Sequence, residues 1–301
     1  MLKRLSQPSL ALITRFLQFF KYLNLKTLLI VIRRAGQHRL PGLSAEIAYN
    51  AIFALFPAAL AVLSAIGLFE ISEFNFQTLI QQTSQVIPDQ ALTLIQGSLH
   101  YLKERSNQRL FSLSFIAAIW ISSSVTGSAM AALDQIYRIP RKQVRPFWQA
   151  KLIALSLALG TFLLLVVALL IVVISDITVQ IVAYRSGSFA YILFQVWQRL
   201  SLPIALSIVA LALGFIYRYG TSRWQHGRPI MPGAILAALL SGLLRFYVSH
   251  IGNFNQVYGA IGAVIILLLW LYLSAFAMLL GGLVNSVVGE AMQKKLNPKR
   301  K

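Results

Sequence analysis

The sequence contains no cysteine, so disulfide bonds and thiolate metal sites are excluded. Charge is also scarce, since 12% of the 301 residues are charged, against roughly 25% in a typical soluble domain. Acids are scarcest of all, with 8 Asp and Glu beside 27 Lys and Arg. Hydrophobic residues make up 57% of the chain. This balance indicates a membrane protein.

Motifs of catalysis and nucleotide binding are missing as well. The chain has no HExxH, no paired-carboxylate spacing, no G-x-S-x-G and no Walker sequence. Its histidines fall in separate segments, at His38, His100, His226 and His250. We therefore predict no enzyme activity, no cofactor and no metal site. A membrane-tethered nuclease is disfavoured because metal-dependent cleavage needs clustered ligands.

Long apolar runs take the place of these motifs. A membrane-spanning helix needs about 20 mostly apolar residues, and six segments meet that requirement. They are Ile47–Phe69, Leu110–Leu133, Leu152–Ile174, Leu200–Tyr217, Ile230–Val248 and Val257–Val288. The sequence thus predicts an all-α, six-span membrane domain over residues 45–289. In the fourth span, Leu202-Pro203 is expected in the first helical turn, where the missing N–H of proline does no harm.

The distribution of Lys and Arg predicts the orientation of these spans. Most of the 27 cations fall in residues 1–44, in the segments after the second and fourth spans, and in the tail 290–301. Cytoplasmic segments are the ones enriched in Lys and Arg, so both termini are predicted in the cytoplasm, beside anionic lipid headgroups. Topology then explains the basicity, and nucleic-acid binding is not predicted. No cleavable signal peptide is expected.

Two regions outside the spans have amphipathic patterns. In Leu10–Leu23 the apolar residues share one helical face and the cations share another, as in a helix lying in the headgroup layer. Between the first two spans, residues 70–109 repeat apolar positions at helical spacing. We expect an N-terminal interfacial helix within residues 1–44 and an outer amphipathic helical segment.

The first span carries a stripe of polar residues. Glu46, Asn50, Phe53 and Pro57 recur on one helical face, which we expect to look into the bundle because polar groups facing lipid are costly. Glu46 and Asn50 would then line a cytoplasmic cavity, and Pro57 would act as a hinge. The alternative is that Glu46 only begins the helix, where a carboxylate suits the helix dipole.

The fifth span carries one cation within its apolar run. Arg245 is a candidate contact for an anionic substrate or headgroup. The alternative is that its long side chain only extends to the outer headgroup layer, where the charge is solvated. Small residues recur every fourth position in the second and fifth spans, for example Ser123-Gly127-Ala131 and Gly233-Ala237-Ser241. Such rows favour close packing of helices.

Several stretches, taken together, resemble the YihY/virulence factor BrkB family. They are Ala45-Glu46-Ile47-Ala48-Tyr49, Leu55-Phe56-Pro57, Ala132-Leu133-Asp134-Gln135-Ile136-Tyr137, Pro232-Gly233-Ala234, Val257-Tyr258-Gly259-Ala260-Ile261-Gly262, Leu269-Trp270-Leu271-Tyr272 and Leu279-Leu280-Gly281-Gly282. The resemblance implies a bacterial inner-membrane protein with a role in moving lipid or an anionic solute. Its last-span motifs supply further candidate hinge or packing residues, Tyr258, Gly259, Gly262 and Gly281.

Two functions follow as hypotheses. The first is a transporter or lipid-translocating protein of unknown substrate, with membrane lipids as partners. The second is a non-transporting scaffold for envelope assembly, which presents its amphipathic helices as docking surfaces. A homo-oligomer is compatible with either hypothesis.

Overall fold

The computed structural model describes residues 19, 22, 24–68, 108–164, 187–223, 230–250 and 254–296. All regular structure in these ranges is helical, so the predicted all-α class is confirmed for them. The helices, in chain order, are α1 (Leu25–Gln37), α2 (Leu40–Leu68), α3 (Gln108–Ile136), α4 (Phe147–Leu164), α5 (Gly187–Phe215), α6 (Met231–His250) and α7 (Phe254–Leu296). A short 3₁₀ turn, Arg141–Gln143, precedes α4, and a π-helical turn, Ile216–Gly220, ends α5.

Each predicted span overlaps one of the helices α2 to α7. Three stretches are long and apolar enough to cross a membrane, namely Phe147–Leu164, Pro203–Gly220 and Val264–Gln293. The apolar parts of α2 and α6, Leu40–Leu55 and Met231–Leu244, are shorter in the described residues. The structure therefore agrees with a multi-span membrane protein, and the count of six crossings stays a prediction.

The stretch of α5 that is apolar enough to cross a membrane starts at Pro203, but the prediction that Pro203 lies in the first helical turn is wrong. The helix begins at Gly187, and Pro203 lies in its interior. Proline is tolerated inside membrane helices because neighbouring groups satisfy the backbone atoms that it leaves unpaired. Ser207 contributes locally, since its Oγ donates to the Pro203 carbonyl oxygen at 2.7 Å. Apolar residues on both sides of the proline favour one continuous helix.

Helix α1 comes directly before the first long helix. Asn24 caps its N-terminus by accepting a hydrogen bond from the Thr27 N–H at 3.0 Å. The helix exposes apolar residues, including Leu25 and Ile32, while Val31 is buried. The predicted interfacial helix Leu10–Leu23 lies outside the described residues except for positions 19 and 22. The outer segment 70–109 lies outside them up to residue 107.

Arginine ends two of the helices in an unusual backbone conformation. Arg39 follows α1 with a φ of 53°, and Arg138 follows α3 with a φ of 54°. At α3 the Arg138 N–H donates to the backbone carbonyl oxygen of Gln135, and the Ile139 N–H donates to that of Asp134. That pair of bonds is the usual helix ending with a left-handed residue, a position that glycine normally occupies.

The core lies where α7 packs against α2 and α6, and α2 packs along α3. The crossing of α6 and α7 is the closest approach, and two glycines form it. A methyl group added at Gly233 would overlap the carbonyl oxygen of Gly281, and one added at Gly281 would overlap that of Gly233. Small residues permit such backbone contact between membrane helices.

Asn285 fastens α7 to the start of α6 beside this crossing. Its side chain is fully buried. Its Oδ1 accepts from the Gly233 N–H at 2.9 Å, and its Nδ2 donates to the Ile230 carbonyl oxygen at 2.8 Å. The first N–H groups of a helix have no partner within the helix. The asparagine amide therefore serves as a substitute peptide group at the start of α6.

Contacts at one end of the bundle join segments that are far apart in sequence. Arg34 donates two hydrogen bonds to the Glu290 carboxylate, at 3.0 and 2.7 Å. We call this region the polar end, and its residues are Arg34, His38, Asp134, Arg145, Ser222 and Glu290. This contact places the residues just before α2 and those after the apolar part of α7 at the same end of the described bundle. The six-span prediction requires these two segments to lie on the same side of the membrane.

Candidate functional site

A cleft separates α3 from α4 next to the polar end. It has a volume of about 280 Å³, and small side chains create it. Gly127 of α3 has no atom of the described residues within 4 Å of where a Cβ would lie. Further lining residues are Ser123, Ser124, Met130, Ala131, Asp134, Val144, Phe147, Ala150, Lys151, Ala154 and Ser222. This stripe of small residues in α3 thus borders open space, unlike the one in α6.

Lys151 projects from α4 across the cleft. Its Nζ lies 3.5 Å from the Trp120 carbonyl oxygen, 3.5 Å from Ser124 Oγ and 4.6 Å from the centroid of the Trp120 ring. Both polar contacts are at the long limit for a hydrogen bond. Within the described ranges no carboxylate lies within 4.0 Å of the ammonium. Lys151 is therefore a half-buried cation that the described part of the protein does not neutralise directly.

Asp134 closes the cleft at the polar end. Its Oδ1 accepts from the Ser222 N–H at 2.7 Å, and its Oδ2 accepts from Ser222 Oγ at 2.5 Å. Ser222 Oγ in turn accepts from the Arg145 N–H at 3.2 Å. The carboxylate thus holds the end of α3, the segment after α5 and the start of α4 together.

The π-helical turn at the end of α5 is also bonded to Arg145. The Arg145 Nη1 group donates to the carbonyl oxygens of Tyr219 and Gly220, at 3.0 and 3.2 Å. Tyr217 in the same turn is fully buried, and its hydroxyl donates to the Met278 carbonyl oxygen of α7. π turns are rare and frequently occur at functional sites. Here the turn is hydrogen-bonded to Arg145 on one side and to the core residue Met278 on the other.

Aromatic and basic residues surround the mouth of the cleft. Phe147 and Trp148 are 72% and 73% exposed, and their rings meet edge to face with centroids 5.5 Å apart. Arg141 and Lys142, in the preceding turn, are exposed as well. Aromatic rings next to cations are typical of the headgroup region of a bilayer. The mouth therefore suits the level of lipid headgroups.

A second apolar cleft, also about 280 Å³, lies between α4 and α5. Its lining includes Gly160 and Thr161 of α4 with Ala212 and Phe215 of α5. The described part of α4 thus has open space on two sides. Its buried contacts with α3 include Ala154 and Leu157, which pack on Met130.

His38 lies at the polar end beside the Arg34–Glu290 pair. Burial lowers the pKa of His38 below its ordinary value of 6.5, and the positive charges of Arg138 and Arg34 lower it further, while Glu290 acts in the opposite direction. Its Nε2 is buried and has no hydrogen-bond partner among the residues that the structure describes. The neutral imidazole is therefore the favoured form in the folded protein.

The predicted contact residues of α2 lie away from the cleft. Ile47 and Ala48 point into the core, whereas Glu46 and Phe53 are exposed and Asn50 is half-buried. Neither Glu46 nor Asn50 lines the cleft between α3 and α4. The cavity role of these two residues stays a prediction.

The other predicted site residues lie in α2, α6 and α7. Pro57 is within α2, Arg245 within α6, and Tyr258 and Gly259 within α7, but their side-chain surroundings lie outside the described part of the protein. Gly262 and Gly281 are buried in α7. The structure brings Gly281 against α6 and does not bring Glu46 together with Gly281.

Two residues of the structure, Lys151 and Asn285, are not among the predicted site residues. Lys151 precedes the predicted span that starts at Leu152 by one residue, whereas α4 begins at Phe147. Asn285 stands in the apolar run Leu283-Val284-Asn285-Ser286-Val287. A search for polar side chains inside the last span would have found it, because such residues are rare in membrane helices.

Among the described residues, no three His, Asp or Glu side chains come close enough to hold a metal ion. The polar groups around the cleft are one ammonium, one carboxylate and several hydroxyls. Such groups can bind and position a polar or charged headgroup by hydrogen bonds.

Comparison with known proteins gives relatives from several bacteria. A putative ribonuclease-like protein, YfkH, of Bacillus subtilis (strain 168) is 27% identical over 257 residues, which cover 84% of this chain and 90% of that protein. The UPF0761 membrane protein Smlt0865 of Stenotrophomonas maltophilia (strain K279a) is 29% identical over 250 residues, or 81% of this chain and 56% of that protein. A UPF0761 membrane protein of Tolumonas auensis is 26% identical, and the match covers 86% of this chain and 83% of the relative.

No solved structure matches the chain. The sequence pattern of the virulence factor BrkB family, in contrast, matches residues 31–301, which include every helix from α2 to α7. The family resemblance of the sequence motifs is thereby confirmed. The chain belongs to the virulence factor BrkB family.

Proposed function

We propose that this protein moves an amphiphilic, lipid-like solute across the bacterial plasma membrane along the cleft between α3 and α4. The observation that carries the proposal is the presence of Lys151 and serine hydroxyls around open space between apolar helices. Charged groups inside membrane segments are costly, and they commonly mark the path of a substrate. The exposed Phe147 and Trp148 at the mouth suit the entry of a lipid from the side.

The proposed topology has six crossings with both termini in the cytoplasm. Two observations support it. The contact of Arg34 with Glu290 brings the residues before α2 and after the apolar part of α7 to the same end. That end also collects cations such as Arg138 and Arg145, as cytoplasmic segments do.

Other residues have proposed roles outside the cleft. Glu46 and Asn50 contact the solute before it enters the cleft from the cytoplasmic side, and Arg245 contacts it near the outer side. Pro57 allows α2 to flex. The described chain offers no Walker sequence for ATP binding, so the proposed movement runs down a gradient or depends on a partner.

Flux through liposomes tests this function. The purified protein is reconstituted with fluorescent lipid analogues, and an added membrane-impermeant quencher measures how much analogue reaches the outer leaflet. Gly127→Phe fills the cleft and should abolish the flux. Gly42→Phe is the matched control, because Gly42 in α2 also has free space around it and lies away from the cleft.

The same assay tests the predicted contacts in α2 and α6. Glu46→Gln and Arg245→Leu should each lower the flux. If both variants keep the wild-type flux, these two residues are not contacts of the solute. Wild-type liposomes that show no more flux than empty ones would contradict the transport proposal itself.

A scaffold for envelope assembly is the second candidate function. The closely packed crossing of Gly233 with Gly281 favours it, because a scaffold does not require its helices to move relative to one another. A scaffold would give no flux in liposomes, whereas its removal from cells would disperse the enzymes that it holds. The flux assay therefore separates the two functions.

A further inference from the structure

We infer that Lys151 and Ser124 form a binding site for the phosphate of an anionic lipid headgroup inside the cleft. The inference rests on the proposed function for the path of the lipid, and it adds the chemical class of the ligand and the residues that select it. The site consists of the Lys151 ammonium, the Ser124 hydroxyl and the open space at Gly127.

The first argument is the depth of the ammonium group. Ser124 lies ten residues before Asp134 on α3, which corresponds to about 15 Å along a helix axis. Lys151 follows the start of α4 by one turn, and a lysine so placed can extend its stem to the headgroup layer. Its Nζ instead reaches Ser124 and Trp120, away from the polar end. The charge is therefore directed into the cleft.

The second argument is the hydrogen-bonding capacity that remains on the ammonium. A lysine ammonium has three donors, and both contacts of Lys151 with oxygen are 3.5 Å long. The nearby carboxylate is already engaged, because both oxygens of Asp134 accept hydrogen bonds from Ser222. A phosphate oxygen between Lys151 and Ser124 would receive short, charge-assisted hydrogen bonds, which are among the stronger polar contacts.

The third argument is the space beside the ammonium. In the part of the chain that the structure describes, no atom lies within 4 Å of where a Cβ of Gly127 would be, and the cleft holds about 280 Å³. Apart from the serines and Asp134, its walls are formed by small or apolar side chains such as Ala131 and Phe147. A polar group near Lys151 with apolar walls around it matches a phosphate attached to acyl chains.

Equilibrium binding tests the site without requiring transport. The full chain in maltoside detergent is titrated with dihexanoyl phosphatidylglycerol by calorimetry. Lys151→Met removes the charge and should weaken binding at least tenfold, since a charge-assisted hydrogen bond contributes about that much. Lys142→Met, which removes an exposed cation in the turn before α4, should change the affinity less than twofold. Equal effects of the two variants would overturn the inference.

Ser124→Ala provides a second variant that tests the site even where Lys151→Met fails to fold. Ser124→Ala should weaken binding a fewfold, and its control Ser128→Ala should not, because the Ser128 hydroxyl donates to carbonyl oxygens of its own helix. Lys151→Arg keeps the charge and should bind within a fewfold of the wild type. Equal affinities of Ser124→Ala and Ser128→Ala would remove Ser124 from the site.

The choice of probe identifies the source of the phosphate. Dihexanoylglycerol lacks the phosphate and should bind at least tenfold more weakly than the phosphatidylglycerol probe. Inorganic phosphate and glycerol 3-phosphate lack the acyl chains, and they should not compete at the concentrations where the lipid binds. Competition by either would assign the site to a soluble phosphate, and equal binding of dihexanoylglycerol would exclude a phosphate site.

This experiment and the flux assay can fail separately. Lysine-dependent binding without flux would retain the phosphate site and reject the transport function. Flux that Gly127→Phe abolishes and Lys151→Met leaves unchanged would retain transport and reject the phosphate site.

Discussion

Gly233 of α6 and Gly281 of α7 lie so close that a methyl group on either would overlap the carbonyl oxygen of the other. A Cβ at Gly281 would also lie 2.7 Å from the Tyr217 hydroxyl and 2.9 Å from Ala237 Cβ. The nearest atom to each added Cβ is a backbone oxygen, and buried side-chain atoms lie next to it, so the crossing cannot accept a side chain unless the two helices separate.

Gly281→Ala should therefore destabilise the protein by about 1–3 kcal/mol, as overpacking of a core does. Alanine normally favours a helix over glycine, so the control Gly160→Ala, in α4 with free space around it, should be neutral or slightly stabilising. Thermal denaturation in detergent, followed by tryptophan fluorescence, measures both variants. Equal midpoints for the two would contradict the close crossing.

Replacing Asn285 with leucine should also lower the thermal midpoint. The change leaves the Gly233 N–H and the Ile230 carbonyl without the partner that Asn285 supplies, and an unsatisfied buried group costs about 1–3 kcal/mol. The neighbouring Ser286→Ala should cost less, because the Ser286 hydroxyl makes a longer contact of 3.4 Å with the Ile136 carbonyl oxygen. A larger loss for Ser286→Ala would contradict the capping role of Asn285.

Exchange of the two charges tests the Arg34–Glu290 pair. Arg34→Glu alone should destabilise the protein by about 1–3 kcal/mol, since it removes two charge-assisted hydrogen bonds and sets two carboxylates against each other. The double variant Arg34→Glu with Glu290→Arg should recover part of that loss. Denaturation midpoints of the single and double variants provide the measurement, and additive losses would argue that the two side chains do not meet.

Stability should depend on pH through His38. Its folded pKa lies below the unfolded value of 6.5 because burial and two arginines oppose its charge. As the pH falls, His38 therefore binds a proton in the unfolded chain before it does so in the folded protein. The stability that the neutral His38 gives is fully present above about pH 6.5 and is lost as the pH falls through the folded pKa. His38→Gln should flatten the dependence of the thermal midpoint on pH in that window. Parallel curves for the variant and the wild type would contradict this role.

The helices could be predicted because lipid imposes a minimum length on apolar runs. The boundaries of the helices could be predicted less accurately than their existence. Pro203 satisfies the local rule for a helix start, yet α5 begins at Gly187, because apolar residues on both sides favour a continuous helix. The third predicted span likewise starts at Leu152 and leaves out Lys151, whereas α4 starts at Phe147 and includes it.

Shared faces could be predicted, but the neighbours of those faces could not. The spacing of Glu46 and Phe53 correctly puts them on one side of α2, and the structure leaves both exposed. Helical spacing fixes which residues lie together, whereas the packing of other helices decides which side is covered. The stripe of small residues in α3 shows the same limit, since Gly127 borders a cleft and Gly233 borders a helix.

Arg39 and Arg138 hold the left-handed conformation that glycine adopts without strain. A residue with a Cβ there costs about 1 kcal/mol. The substitutions Arg39→Gly and Arg138→Gly should therefore raise the free energy of unfolding, and neither residue lines the cleft. Such a reinforced variant would better tolerate the purification and detergent exchange that precede reconstitution into liposomes.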